Sequence, residues 1–341
     1  MLAVYGQNIP TVNKTTDLPT PRTWLEWGKV FTDLDIWTPA VHEICRRAHI
    51  PVRAIESGYP GSNAVFIVNN HTPSVAVVKI YAPLCPEDYT LERVLHPLLS
   101  QWPEIGAPRL LAEGTLGADG TWPYIVFSYV AGEPIREVRE DIPRQDLLAA
   151  SRDLGHRLRV LHSIPTSALA GIDISPEGWQ RIAERHLDQG MQKLRAHRAL
   201  PKNVIDRLPG VVRTELQNAA ATPLVLVSGD VTEDHVMLSE RDGHWALTGL
   251  IDFADALVAP REYEWIALWF SALDRDTACL RTCLEGYGGG VVIDSAFYRR
   301  ALAFTFLHEF GSEIVSETLD RLDNPEIDSI PALQAILWEP D

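Results

Sequence analysis

Three apolar runs bounded by Gly, Pro or Asn lie between residues 52 and 130: NAVFIVNN, SVAVVKIY and WPYIVFSYV. Their β-branched and aromatic content predicts the strands of a small sheet. Between the second and third runs, Tyr89 to Leu99 sets Leu91, Val94, Leu95, Leu98 and Leu99 on one helical stripe. One helix therefore interrupts the sheet, with Pro97 as a point where it can kink. Upstream, Pro, Thr and Trp are frequent until TPAVHEICRRAHI, which reads as a helix capped by Thr38 with Pro39 in its first turn. After VAGEP (130–134) the pattern changes. QDLLAASRDLGHRLRVLHSI spaces Leu147, Leu154, Leu158 and Leu161 as a packed helix does. Further helical stretches follow, with two short strand-like runs, PLVLVS and ALTGLIDF, among them. The expected organisation is α+β: a partly helical extension over 1–50, a β-rich lobe with one helix over 51–130, and a mainly helical lobe over 131–341.

Composition narrows the function classes. The 341 residues are 46% hydrophobic and 22% charged, ordinary globular values, and no run approaches a membrane span. The opening MLAVYGQNIPTVNKTTD lacks the basic and apolar pattern of a secretion signal. Four scattered cysteines, Cys45, Cys85, Cys279 and Cys283, suit a reduced compartment. A cytoplasmic location is the expectation. Cys279 and Cys283 lie four apart on a predicted helix, where core packing outweighs a metal role. The formal charge of −16 repels nucleic acid and anionic membrane and admits a cationic small molecule.

The chemistry concentrates in LVLVSGDVTEDHVMLSERDGHWALTGLIDFADA, residues 224–256. It reads as an apolar strand, a polar loop, a short strand, a turn, and a strand ending in an acid. Such a hairpin draws Asp230 and Asp252 together and places His235 beside them. Two carboxylates and an imidazole at the mouths of buried strands are costly to desolvate unless they bind or pair. Phosphoryl transfer uses such a set: one carboxylate orients the attacking hydroxyl, another holds Mg²⁺ against nucleotide phosphates. Singly, Asp230 could be a turn former and Asp252 a helix cap.

SGDVTEDHVML followed by GLIDFADA resembles the catalytic loop and metal motif of the aminoglycoside phosphotransferase family, whose usual pattern is HGDxxxxN and then IDF or IDW. The resemblance implies a two-lobed protein-kinase-like fold over roughly residues 52–330, with Asp230 as catalytic aspartate and Asp252 as metal-binding aspartate. Ser228 stands in place of the usual His. His235 stands in place of the metal-binding Asn, as it does in the related macrolide phosphotransferases.

The first half then implies the nucleotide cradle for ATP or GTP. ESGYPGSNAV (56–65) resembles the phosphate loop, with Gly58, Gly61 and Ser62 facing the anion; an ordinary hairpin turn reads equally well. In SVAVVKIY, Val75, Val77, Lys79 and Tyr81 share a face, so Lys79 would brace the phosphates and Val77 lie against the adenine. Glu92 is the best-spaced partner for Lys79, with Glu87 the alternative. Ser128, Tyr129 and Val130 would offer backbone groups to the purine. On this reading Lys79, Asp230 and Asp252 serve one triphosphate.

For the acceptor, Glu264 in APREYEWIALW is a candidate to brace the loop or line the pocket, and Trp265 and Trp269 could floor a sugar. Residues 176–215 carry eight Arg or Lys from Arg181 to Arg213, an acceptor wall or simply exposed helix faces. Glu309 and Glu313, on a helix predicted through FTFLHEFGSEI, could receive ammonium groups or merely solubilise. His156 and His162 read as packing or solvated. The function expected is a small-molecule O-phosphotransferase acting on an antibiotic-like (aminoglycoside or macrolide) or sugar-containing alcohol. One alternative is a kinase-shaped nucleotide-binding module without catalysis. Another is a hydrolytic metal centre of Asp230, Asp234, His235 and Asp252.

Overall fold

The computed structural model describes residues 18–58, 61–70, 74–117, 120–198, 200–322 and 325–339. Two compact units result, and neither is a single stretch of chain: one holds residues up to Arg93 together with Arg109–Tyr129, the other Val94–Pro108 and everything from Val130 onward.

The first unit opens with a single turn, α1 (Trp24–Trp27), and the helix α2 (Leu34–Arg47), followed by β1 (Ala54–Ser57), β2 (Ala64–Asn69), β3 (Ser74–Ile80) and α3 (Pro86–Leu99), whose second half belongs to the other unit. β4 (Leu110–Leu116) and β5 (Trp122–Ser128) complete an antiparallel sheet of order β1-β2-β3-β5-β4. The three predicted runs are β2, β3 and β5. β1 and β4 escaped prediction because their positions are mostly exposed or half-buried and carry little hydrophobic signal.

Alternation along β3 gives the sheet two different faces. Ala76, Val78 and Ile80 join Phe66, Val68, Tyr124 and Val126 in a core closed by Trp27, Trp37 and Trp122. Trp122 lies 5.5 Å from Trp27 and 5.0 Å from Trp37, ring centre to ring centre. The opposite face carries Val77, Tyr81, Ile125 and Phe127, and Lys79, which pairs across to Ile125.

α2 begins four residues before the predicted cap at Thr38. Asp33 caps it, accepting from the Asp35 and Ile36 amides at 2.9 and 3.4 Å, and Pro39 lies inside it. The reason is packing: the buried stripe Trp37, Ala40, Val41, Ile44 runs back past Pro39, so burying Trp37 outweighs the lost backbone hydrogen bond.

The second unit is mainly helical: α4 (Ile135–Val138), α5 (Arg144–His162), α6 (Pro176–His197), α7 (Lys202–Ile205), α8 (Leu208–Asn218), α9 (Glu264–Ala267), α10 (Thr277–Tyr287), α11 (Ser295–Leu307), α12 (Gly311–Arg321) and α13 (Ile330–Trp338). Short strands are set among them. β7 (Leu224–Val227) pairs with β10 (Leu257–Pro260), and β8 (Val236–Arg241) forms a hairpin with β9 (His244–Leu250), edged by β6 (Glu133–Pro134). α5 and α10 pack closely because Gly155 leaves room: a Cβ there would sit 1.9 Å from the Cys283 carbonyl oxygen. Cys279 and Cys283 are buried in this contact, with burial pushing both thiols up, Cys283 to about 12.

FTFLHEFGSEI is not one helix. α11 ends at Leu307 and α12 starts at Gly311, so Glu309 lies in the break and Glu313 in the first turn of α12. No helix among the described residues is long and apolar enough to cross a membrane.

Because Trp37 is fully buried in the first unit's core, Trp37→Ala should destabilise the protein by roughly 3–5 kcal/mol. Denaturant unfolding would report this, and an unchanged midpoint would show that α2 contributes nothing to that core.

Candidate active site

The loop joining β7 to β8 is held from both sides by buried groups. Glu264, 1% exposed at the start of α9, accepts the Ser228 amide at 2.8 Å on Oε2 and the Gly229 amide at 3.2 Å on Oε1. His162, at the end of α5, places Nε2 3.1 Å from Glu264 Oε2 and Nδ1 3.0 Å from the Tyr287 hydroxyl. Taken together, these contacts assign the tautomer in which Nε2–H donates to the carboxylate and Nδ1 accepts from Tyr287. On the other side His308 Nε2 donates to the Gly229 carbonyl at 2.9 Å, and its Nδ1 accepts the Phe310 amide at 3.3 Å. Burial lowers the His308 pKa to about 4, so the ring is neutral and its one N–H is committed to the loop. Gly229 has φ +81, and a Cβ there would meet the Asp255 carbonyl oxygen at 2.3 Å. Only glycine turns the chain here.

Asp230 projects from this clamped turn toward His235 and Asp252. His235 Nδ1 lies 2.7 Å from the Asp230 carbonyl oxygen, 3.0 Å from Thr232 Oγ1 and 3.4 Å from Asp230 Oδ2. His235 Nε2 lies 4.0 Å from Asp252 Oδ2. Asp252 itself has φ +57, a left-handed backbone, and accepts the Ala254 amide at 3.2 Å. Asp230 has its pKa pushed up to about 6, foremost by burial, with Asp252, Asp234 and Glu264 acting in the same direction and His235 opposing them.

An imidazole nitrogen and a carboxylate oxygen stand 4.0 Å apart here, and a neutral imidazole and a carboxylate are both groups that ligate cations. Mg²⁺ is held by one or two protein groups with phosphates and waters completing its shell, so this pair fits such an ion. Among the described residues no three His, Cys, Asp or Glu side chains gather into a metal cage. Asp234 turns away from the proposed four-residue hydrolytic centre and engages the Arg136 guanidinium through two contacts of 2.6 Å. That alternative therefore loses one of its ligands.

In the first unit Lys79 and Glu92 form a buried ion pair of 2.7 Å, with side chains 6% and 1% exposed. The Tyr81 hydroxyl donates to the same Glu92 oxygen at 2.7 Å, and the ammonium lies 5.5 Å from the Tyr81 ring centre. The partner is thus Glu92 and not Glu87. Val77 is half-buried on the same face. In the loop between β1 and β2, the Gly58 amide donates to the Val65 carbonyl at 2.7 Å, and the Ser62 carbonyl accepts from Trp27 Nε1 at 2.8 Å. A Cβ at Gly61 would meet nothing within 4 Å, so packing does not require glycine there. Tyr59 and Pro60 lie outside the described residues.

Several predicted roles change. The Ser128 amide donates to the Arg109 carbonyl at 2.8 Å, and its hydroxyl accepts the Arg109 amide at 2.9 Å, so that N–H is spent on the sheet and not offered to a purine. Tyr129 ends the first unit, and Val130 lies in the second against Gly249. Trp265 and Trp269 are 1% and 0% exposed. Trp269 stacks on Trp338 at 5.5 Å and donates to the Leu337 carbonyl, so both are core and neither floors a pocket. Glu264 is buried under the loop and acts as its brace, not as an acceptor contact. Glu313 is neutralised by Lys193 at 2.6 Å. Glu309 stays largely open, 55% exposed, 4.0 Å from His186 Nε2. Of the basic stretch, Arg181, Lys193, Lys202 and Arg213 all pair with acids near the surface, as exposed helix faces do.

His162 and His308 were not legible as loop supports. His162 follows the stripe Leu154, Leu158, Leu161, which marks it as buried, but its partner lies 102 residues away.

The model of the phosphotransferase enzyme family matches residues 51–304. The chain belongs to that family and is a phosphotransferase acting on hydroxyl groups. Solved structures agree in fold. The GDP complex of aminoglycoside 2'-phosphotransferase-IIIa is 19% identical, with a TM-score of 0.63 over 89% of this chain and 97% of its own. An aminoglycoside phosphotransferase from Streptomyces rimosus in complex with ADP and streptomycin is also 19% identical, with a TM-score of 0.55 over 79% of this chain and 98% of its own. The macrolide 2'-phosphotransferase of Brachybacterium faecium is 17% identical, with a TM-score of 0.53 over 89% and 99%.

Two outcomes follow from the site. Glu264→Gln sets an amide donor among donors, so it should cost about 1–3 kcal/mol for each amide left unsatisfied and lower kcat more than it raises KM, as steady-state kinetics would show. For Asp230 the folded pKa exceeds the unfolded one. Protonation therefore favours the folded state in acid, and that contribution is lost as pH rises through about 6. Asp230→Asn should then be more stable than the parent at pH 8, by on the order of 1–3 kcal/mol, with the gap closing toward pH 4 in denaturant titrations.

Proposed function

We propose that this chain transfers the γ-phosphoryl group of ATP or GTP to a hydroxyl of a small alcohol, with a cationic, aminoglycoside-like acceptor favoured over a macrolide or a neutral sugar. The observation that carries the reading is the fixed placement of Asp230 on a loop clamped by Glu264 and His308, with Asp252 next to His235.

Asp230 orients the acceptor hydroxyl and takes its proton as the new P–O bond forms and the bond from the γ-phosphorus to the β–γ bridging oxygen breaks, releasing ADP or GDP. A carboxyl with pKa about 6 is ionised at neutral pH and still basic enough for that task. Asp252 and His235 would hold Mg²⁺, which when bound neutralises charge on the phosphates. Lys79, fixed by Glu92 and Tyr81, would position the α- and β-phosphates, with Val77 beside the base and Gly58, Gly61 and Ser62 toward the phosphates. Little covalent chemistry falls to the protein, so positioning and electrostatics supply most of the rate. The acidic balance of the chain, −16 overall, and the open carboxylate of Glu309 beside the loop-bracing His308 support a cationic acceptor.

Transfer of radiolabelled γ-phosphate from ATP and from GTP to a panel of aminoglycosides, macrolides and sugar alcohols tests the proposal. Asp230→Asn should lower kcat about 10²–10⁴-fold while nucleotide binding is kept, and kcat/KM of the parent should fall as pH drops through about 6. Stabilisation by nucleotide and Mg²⁺ with no transfer to any acceptor would instead identify a binding module.

A further inference from the structure

The clamp of Glu264 and His308 reaches the loop at Ser228 and Gly229, ahead of Asp230. His235 stands beyond Asp230, and the chain between them closes in a tight turn of its own. The His235 amide donates to the Thr232 carbonyl at 3.1 Å, which leaves Glu233 and Asp234 as the central residues of that turn. The same stretch holds the imidazole, through the Asp230 carbonyl and the Thr232 hydroxyl. Where the turn goes, the ring goes.

Two other elements grip the central pair. Arg136 is brought alongside because β6 pairs with β8, Glu133 opposite Leu238 and Pro134 opposite Met237. Its backbone N–H donates to the Glu233 carbonyl at 3.1 Å, and its guanidinium lies 3.2 Å from Glu233 Oε1. Nε and Nη2 take the two carboxylate oxygens of Asp234 at 2.6 Å each. From another direction comes a π-helical turn, Leu268–Ala272, that continues α9. Its Ser271 hydroxyl accepts the Glu233 amide at 3.0 Å, and Arg139 secures it by donating to the Ala272 carbonyl at 2.6 Å. π-Helical turns recur at functional sites.

An exposed ion pair by itself contributes little to stability, and the Arg136 side chain is 51% exposed. These contacts therefore do little for the core. What they do is fix orientation: a forked guanidinium-carboxylate contact and two main-chain hydrogen bonds converge on two consecutive residues. We propose that Arg136 and Ser271 are positioning residues for phosphoryl transfer, fixing the turn Thr232–His235 and so holding the His235 imidazole where it serves Mg²⁺ together with Asp252. The inference rests on the reading of His235 and Asp252 as the Mg²⁺ pair. Replacing a residue that orients a metal ligand without touching the metal commonly costs about 10–100-fold in metal affinity.

The test is calorimetric titration of the full chain with non-hydrolysable ATP and GTP analogues, each in EDTA and in saturating Mg²⁺. In the parent, Mg²⁺ should tighten binding of at least one analogue. Ser271→Ala and Arg136→Gln should each shrink that tightening by about tenfold or abolish it, with binding in EDTA unchanged, and should lower kcat more than they raise the KM for the acceptor. Ser271→Thr, which keeps the hydroxyl, should behave as the parent does. Arg152→Gln, which breaks an exposed pair between α5 and α10, should leave the tightening as it is. A full Mg²⁺ effect in both Ser271→Ala and Arg136→Gln overturns the inference and leaves the Mg²⁺ pair standing, even if their unfolding midpoints fall, since that marks a merely structural brace. No Mg²⁺ effect on either analogue in the parent overturns the Mg²⁺ pair itself, and this inference with it.

Discussion

The carboxylate of Glu264 is almost without solvent, and both of its oxygens are engaged by the backbone amides of Ser228 and Gly229, with the His162 ring on one of them. A buried charge in so dry a place is unfavourable unless it is surrounded by donors, and these donors are the loop itself. The chain between β7 and β8 therefore has one low-energy path, through a left-handed Gly229 packed against the Asp255 carbonyl. Asp230 leaves that path in one direction. The position of the Asp230 carboxylate is thus inherited from a second acid buried beneath the loop.

This arrangement also accounts for a serine at position 228, where the HGDxxxxN pattern that the loop resembles has histidine. Imidazole support for the loop is supplied from two other places in the second unit, His162 at the end of α5 and His308 just past α11. The neutral ring of His308 gives its N–H to the Gly229 carbonyl, opposite to the amide that Glu264 receives. The loop is fixed through main-chain atoms, which every residue type has, so the side chain at position 228 is released from the task. Asp230, by contrast, bears the cost of its surroundings: burial and three neighbouring acids make its ionised form expensive, a local destabilisation of the kind expected where a fold carries chemistry.

Much of this was legible in the chain and some was not, for identifiable reasons. β2, β3 and β5 carry strong apolar patterns, and the hairpin of β8 and β9 brings Asp230, His235 and Asp252 to one place through short, local connections. Lys79 stood out as a charge within an apolar strand, and of the two acids offered on the following helix, Glu92 and Glu87, the better-spaced Glu92 is its partner. By contrast, β4 buries little, and the start of α2 was displaced because tertiary burial of Trp37 overrode the preference of Pro39 for a first turn. The use of the Ser128 amide by the Arg109 carbonyl, just ahead of β4, had no signal in so weakly patterned a stretch. Trp265 and Trp269 had no sequence signature separating a pocket floor from a core, and the roles of His162 and His308 rest on contacts more than seventy residues away.

The chain passes between its two compact units three times, after Arg93, after Pro108 and after Tyr129. Neither unit could be lifted out with one cut. A recombination event, natural or engineered, that exchanged the sheet-bearing half for another would have to splice at several joints at once, one of them inside α3. Diversification by shuffling whole modules is therefore hard for this architecture, and substitution within an inherited scaffold is the easier route to a new specificity.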